Sequence, residues 1–269
     1  MNNIEKDRLQ IAKKLVEECG AIGYKTSFED EGATSQDIAR AKIVTEKANL
    51  PLNIKIGGCE AIADIKEAKT LGAKAIVAPM IETPYAAQKF VSAIKKVYEP
   101  EEIEDLEVAI NIESITGAQN IEKILEAVKD EKIISRVTVG RVDLIGSMGM
   151  KRDEINSDVV FEQLHNVLSV SKTYNMVTGM GGGIDKKTIQ FIKRLGHLLD
   201  YYETRYIIFE NIKNKTEEEM LEGILNAQKF EANYYEDLSS RYKQMSSSNL
   251  ERFEMIKARI NKAEETLNK

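Results

Sequence analysis

Histidine and cysteine, two of each in 269 residues, are too few and too poorly placed for most of the chemistry built on them. Cys19 and Cys59 belong to no short metal-ligand spacing, which excludes a zinc cage and a disulfide framework and fits a reducing compartment. His165 and His197 lie inside helical patterns, away from strand ends, so neither is the expected base. Long apolar runs are missing too. No stretch approaches the ~20 residues of a membrane span, and Met1 to Arg8 has no apolar core of a secretion signal. A cytoplasmic protein without membrane contact is expected. There is no basic excess: the net charge is -6, with lysines and arginines interleaved among carboxylates along the helices, which excludes a nucleic-acid surface. No Gly-x-Gly-x-x-Gly follows the first apolar run, and Gly179-Met-Gly-Gly-Gly183 comes late and lacks the Lys-Ser/Thr of a P-loop. An open dinucleotide-binding sheet is therefore the weaker alternative.

What the chain has is a repeating unit: an apolar run, a glycine or carboxylate turn, then a helix of ordinary length. After an amphipathic helix over residues 4 to 19, strands are expected at 21–27, 52–56, 75–78, 107–112, 136–142, 176–179 and 205–209. Helices are expected at 35–49, 61–71, 84–97, 117–129, 158–174 and 186–195. Continuously apolar strands separated by helices imply a parallel sheet covered outside, and seven or eight of them suit a closed (β/α)8 barrel of the TIM type. An eighth strand has only the weak stretch Leu198 to Tyr202 as its source.

Beyond Asn211 the strand signal stops. Thr216 with Glu219 forms a capping box, and Met220, Ile224, Ala227, Tyr234, Leu238, Tyr242 and Met245 continue one helical stripe. Ser246-Ser-Ser-Asn249 reads as a break, after which Leu250, Phe253, Ile256, Ile260, Ala263 and Leu267 follow a near-heptad on a second helix. The chain thus divides into a barrel with its N-terminal helix, residues 1–212, and a helical C-terminal extension, 213–269. So much apolar surface is expected to make the protein a homo-oligomer through that extension.

Two acids close apolar runs: Glu113 in Ile110-Asn-Ile-Glu113, and Asp143 in Val137-Thr-Val-Gly-Arg-Val-Asp143. A carboxylate there is costly to bury without a cation or donors, and the C-terminal ends of barrel strands are where such folds assemble active sites. Together they read as half of a Mg2+ or Mn2+ site whose remaining positions go to water and substrate. For one such acid alone, capping the next helix or pairing with a basic residue such as Arg141 is the simpler explanation. The other strand ends are polar. The first carries Lys25, Thr26, Ser27, Glu29, Asp30 and Glu31; the second Lys55, Gly57, Gly58 and Glu60; the third has Glu82 just beyond Pro79. A lysine in an apolar strand either holds a substrate carboxylate, forms an imine with a carbonyl, or is ion-paired inside the barrel. Gly57-Gly58 and Gly146-Ser147-Met148-Gly149 let backbone amides approach an anion.

Ile54-Lys-Ile-Gly-Gly-Cys-Glu-Ala61, Val77-Ala-Pro-Met-Ile-Glu82, Ile110-Asn-Ile-Glu113 and Val139-Gly-Arg-Val-Asp-Leu-Ile-Gly-Ser-Met-Gly149 resemble, in order, the strand-end motifs of the citrate lyase beta subunits and metal-dependent 2-oxo-acid (class II) aldolases. The resemblance spans roughly residues 20 to 185. It implies a (β/α)8 barrel, Mg2+ or Mn2+ on the positions of Glu113 and Asp143, and enolate chemistry on a pyruvate- or acetyl-type substrate. Two departures stand out. The family's strand-end arginine is matched by Lys55, which keeps the charge and loses the bidentate fork. Its acid-Gly-Glu-His turn is replaced by Glu29-Asp-Glu31-Gly32, without histidine.

The expected activity is therefore that of a metal-dependent carbon-carbon lyase or aldolase on a small carboxylate. Glu113 and Asp143 hold the metal; Lys55 neutralises the substrate oxygen; Glu29, Glu31 or Glu82 moves the proton; Arg141 and the Gly146 to Gly149 turn seat the substrate's charged group. Lys25, Gly57, Gly58, Ser147 and Met148 complete the substrate surface. A Schiff-base lysine aldolase and a non-catalytic barrel serving as a binding or assembly subunit are the alternatives.

Overall fold

A computed structural model describes residues 1–29, 31–211 and 215–267, with side chains as far as residue 261. Asp30 and the expected domain boundary at 212/213 lie outside the described residues. The chain opens with α1 (Asn3–Glu17), whose start is fixed by a capping box between Asn2 and Glu5. Then come β1 (Ala21–Ser27), α2 (Ser35–Lys47), β2 (Leu52–Lys55), α3 (Ile62–Thr70), β3 (Ala75–Ala78), α4 (Pro84–Val97) and α5 (Pro100–Glu104). They are followed by β4 (Glu107–Ile112), α6 (Ile115–Glu126), β5 (Arg136–Gly140), α7 (Arg141–Ser147), α8 (Asp158–Thr173), β6 (Val177–Gly181) and α9 (Thr188–Leu195). The last elements are β7 (Tyr201–Glu203), β8 (Ile207–Glu210) and α10 (Glu217–Leu267). The eight strands close a TIM-type barrel in sequence order.

Strands β1 to β7 are parallel, but β8 runs antiparallel to both β7 and β1. The uncertain stretch before Tyr202 becomes the three-residue β7, and Thr204 turns it straight into β8, taking a hydrogen bond from Ile207 N (3.2 Å) and giving its own N–H to Ile207 O (2.9 Å). With no helix between the last two strands, their outer face is covered by α10: Tyr206 stacks on Tyr24, which meets Phe230, and Phe209 approaches Gly223. The tail is one helix. Ser246-Ser-Ser-Asn249 does not interrupt α10, because serine and asparagine cost a helix only a few tenths of a kcal/mol each, roughly 0.5, without the lost amide of proline.

The strands also differ from the expected continuously apolar pattern. Leu52, Ile54, Ile76, Val108, Ile110, Ile112, Val137 and Val139 face outward into one core shared with the helices. Between them, inward positions are polar or small, and they bond across the lumen. Arg136 donates to Asn53 (3.1 Å), Thr138 and Tyr201 share a hydroxyl contact (2.6 Å), and Lys25 pairs with Glu203. A lumen built this way is bonded across itself rather than packed with branched side chains. No helix among the described residues is long and apolar enough to cross a membrane.

Candidate active site at the C-terminal mouth

Glu113 follows β4 by one residue and continues its inward alternation past Asn111. It is 4% exposed, so its carboxylate needs donors. Asn111 Nδ2 supplies one to Oε1 at 3.0 Å, Met80 N another to Oε2 at 3.2 Å, and Lys55 Nζ lies 3.5 Å from Oε1. Lys55 also reaches Glu29 Oε2 at 3.6 Å, so one ammonium stands between two acids at the mouth. Gly140, the last residue of β5, makes room: a Cβ there would lie 2.6 Å from both Cγ and Oε1 of Glu113. Met80 has φ +51. The other non-glycine residues with positive φ, Asn49, Lys132 and Asn175, close helical segments. Met80 instead follows β3, where left-handed backbone costs roughly 1–2 kcal/mol, and its amide is aimed at the buried acid.

A second ion pair lies on the other side of the mouth. Glu203, the last residue of β7 and 5% exposed, accepts from Lys25 of β1. A Cβ on Gly181 would sit 2.9 Å from its Oε1. The sequence reading missed Glu203. Its signal was the Gly179-x-Gly181 spacing of β6, which opens the lumen for Tyr201 and Glu203 on the neighbouring strand.

The remaining expected residues sit on other elements than expected or are engaged by the protein itself. Asp143 is not on a strand end: β5 stops at Gly140, and Asp143 lies exposed in the first turn of α7. Glu82 is bonded to Ser114, the N-cap of α6. Gly57 gives its amide to Asp64 Oδ2 at 2.7 Å, and Gly58 has open space where a side chain would go. Gly146 and Ser147 form the last turn of α7 rather than a loop; Ser147 Oγ donates to Leu144 O (2.7 Å) and accepts from Ile115 N (2.9 Å). Met148 packs on the core. Arg141 is completely buried, and its guanidinium donates to Gly181 O, Gly182 O, Gly183 O, Ile155 O and Asn156 Oδ1 over the Phe191 ring. Burial pulls it down to about 9. A side chain so engaged ties down the β6 loop, which corrects the expectation that it seats a substrate anion.

Glu31 is engaged by its own strand end. Its Oε2 accepts from Thr26 Oγ1 (2.9 Å) and Ser27 N (3.3 Å), and it faces the tyrosines of β1, the β7–β8 turn and α10. Burial pushes its carboxyl from 4.5 up to about 7, against the pull of those hydrogen bonds and of Lys25 and Arg205. Between these two values the folded state holds a proton that the unfolded chain has released, so stability contributed by this group falls as pH rises. Glu31→Gln is expected to flatten the decline between pH 4.5 and 7, as urea unfolding of the variant and its parent across that range would reveal. Parallel pH profiles would refute the assignment.

Residues 53–180 match the HpcH/HpaI aldolase/citrate lyase family. No curated protein matches the chain. Among solved structures, an HpcH/HpaI aldolase from Desulfitobacterium hafniense superposes with a TM-score of 0.60 at 14% identity, over 76% of this chain and 83% of the other. A family protein from Burkholderia cenocepacia gives 0.58 at 20% identity, over 73% and 83%. Macrophomate synthase gives 0.54 at 12% identity, over 73% and 81%. At such identities the structural likeness establishes the fold. The sequence match adds likeness to the HpcH/HpaI aldolase/citrate lyase family for residues 53–180, the stretch that carries Lys55, Glu82, Glu113, Gly140 and Asp143.

Proposed function

We propose that the protein is a divalent-metal-dependent carbon-carbon lyase or aldolase that handles the enolate of a 2-oxo acid. The observation that carries this reading is the buried Glu113 carboxylate at the mouth, fitted against Gly140 and flanked by Lys55. Mg2+ or Mn2+ prefers oxygen donors and is commonly held by one or two carboxylates with water and substrate. Glu113 and the exposed Asp143, beyond Gly140, suit that donor set, and no larger acid, cysteine or histidine cluster competes among the described residues. A cation there would polarise the substrate's carbonyl. Lys55 neutralises charge developing on the substrate oxygen, Glu29 beside it is the nearest acid for the proton, and Lys25 offers a second positive charge to the carboxylate. The acids paired with both lysines, Glu203 with Lys25 and Glu29 and Glu113 with Lys55, support a charge-holding role over an imine-forming one.

Deuterium uptake into the pyruvate methyl group, read by mass spectrometry, isolates enolisation from the unknown acceptor. Exchange is expected with Mg2+ or Mn2+, abolished by EDTA and restored by excess metal. No exchange with either ion would defeat the proposal, and exchange indifferent to EDTA with borohydride-trappable adduct would favour the lysine route.

We further assign self-association to α10. The helix is 51 residues long, about 75 Å, and it leaves Met245, Leu250, Phe253, Ile256 and Ile260 exposed, with Phe253, Ile256 and Ile260 at coiled-coil spacing. Sedimentation of the parent as a dimer or larger, and of the double variant Phe253→Glu, Ile260→Glu as a monomer, is the expected outcome. A monomeric parent would end this assignment.

A further inference from the structure

We propose that the opposite, N-terminal mouth of the barrel is a second binding site, for a small monocarboxylate with a branched aliphatic body. The strands begin there around a cavity of about 540 Å³, within the range of small-ligand pockets. Its floor is made by inward side chains near strand starts: Asn53 of β2, Arg136 of β5, Tyr201 of β7 and Ile208 of β8. Glycines admit them. A Cβ on Gly179 would overlap the Tyr201 ring at 2.1 Å, and one on Gly23 would stand 3.0 Å from Asn53 Nδ2 and 3.2 Å from Ile208 Cδ1. The cavity is separate from the C-terminal mouth: Arg136 and Gly140 are the two ends of β5, roughly 13 Å apart along an extended strand.

The charge in this floor is incompletely used. Arg136 is 8% exposed, yet both its hydrogen bonds leave from Nη1, to Asn53 Oδ1 and to Glu107, and its Nε has no partner. Tyr201 covers one face of the guanidinium, with its ring centroid 4.4 Å away. Nε is sealed from solvent, so the edge a ligand can reach is Nη2, which gives neither of those two bonds. A carboxylate at Nη2 would take a charge-assisted hydrogen bond from a guanidinium whose bonds to Asn53 and Glu107 both leave from Nη1. Glu107 already contributes one negative charge beside it, and the rim charges Lys74 and Asp105 offset each other, so a monoanion suits the site better than phosphate. The walls select the rest of the ligand. Ile22 and Val177 remain 43% and 44% exposed at the rim, next to buried Ile208, apolar surface that no part of the described chain covers and that a branched hydrocarbon would remove from water.

Calorimetric titration of the full chain with 4-methylpentanoate tests this, beside 4-methylpentan-1-ol, which lacks the charge, and inorganic phosphate, which lacks the body. The carboxylate is expected to bind at least about tenfold more tightly than either. Ile22→Glu, on the exposed rim where folding is unaffected, and Arg136→Lys should each weaken it by about tenfold or more. Lys55→Met, at the other mouth, should leave it unchanged. No heat of binding, equal binding of the alcohol or phosphate, or loss of binding in Lys55→Met with retention in Ile22→Glu would each overturn the proposal.

Discussion

Replacing Gly140 with alanine is expected to slow metal-dependent enolisation by about a hundredfold while the barrel stays folded, since misplacing a reacting group by an ångström has effects of that order. The added Cβ would lie 2.6 Å from Cγ and Oε1 of Glu113 and 3.0 Å from its Cδ. No flexible end of a side chain can simply swing aside, because this carboxylate is held on the far side by Asn111 and the Met80 amide. Either Glu113 leaves those donors or β5 retreats, and both move the proposed metal ligand. The stability cost of such overpacking is typically only about 1–3 kcal/mol, so the melting temperature and the exchange rate should separate. Deuterium exchange of pyruvate and thermal melts on the same preparation provide the check. Exchange within a few-fold of the parent, with the fold intact, would mean that Glu113 is not the ligand.

How much of this was legible in the sequence depended on whether a residue's role is local. Strands β1, β3 and β4 begin and end where the apolar runs do, because their outward residues meet helices that follow directly in the chain. The closing strands were harder: β7 has three residues, and its cover is α10, supplied from beyond the end of the barrel rather than by the next segment. Asp143 was misplaced because valines recur from Val137 to Val142 on both sides of Gly140; composition cannot tell that the chain leaves the strand at Gly140 and coils into α7. Arg141 misled for the same reason. A charged residue after a strand has the same letter whether it faces substrate or five backbone and side-chain oxygens. The polar lumen was in view as Asn53/Lys55, Asn111/Glu113 and Arg136/Thr138, spaced by two, but neighbouring isoleucines and valines dominated the reading.

The largest loss of stability is expected from Asp237→Ala, on α10. Asp237 is 1% exposed and gathers Asn2 Nδ2 at 2.7 Å, Arg241 at 3.4 Å, Arg8 at 3.6 Å and Arg40 at 3.9 Å. Arg40 and Arg241 keep other acids, Glu5 at 2.6 Å and Asp37 at 2.9 Å. Arg8 has no second ion pair among the described residues: it is 1% exposed, its Nε and Nη1 have no partner, Glu5 acts on it only at longer range, and burial already pulls its guanidinium below the ordinary value. Removing the one aspartate therefore strands a buried charge, a change worth about 3–5 kcal/mol. In a chain of this size that corresponds to a melting point lower by roughly 10 °C. The pair Lys14–Glu222 joins the same two helices at 2.7 Å but is open to solvent on both sides, 41% and 54% exposed. Glu222→Ala should leave the midpoint near the parent's, since water screens what it removes. Urea unfolding of both variants, with limited proteolysis of α10, decides the matter: equal shifts would mean that burial does not set the strength of this contact, whereas a large loss confined to Asp237→Ala, with α10 newly cleaved, is the expected result.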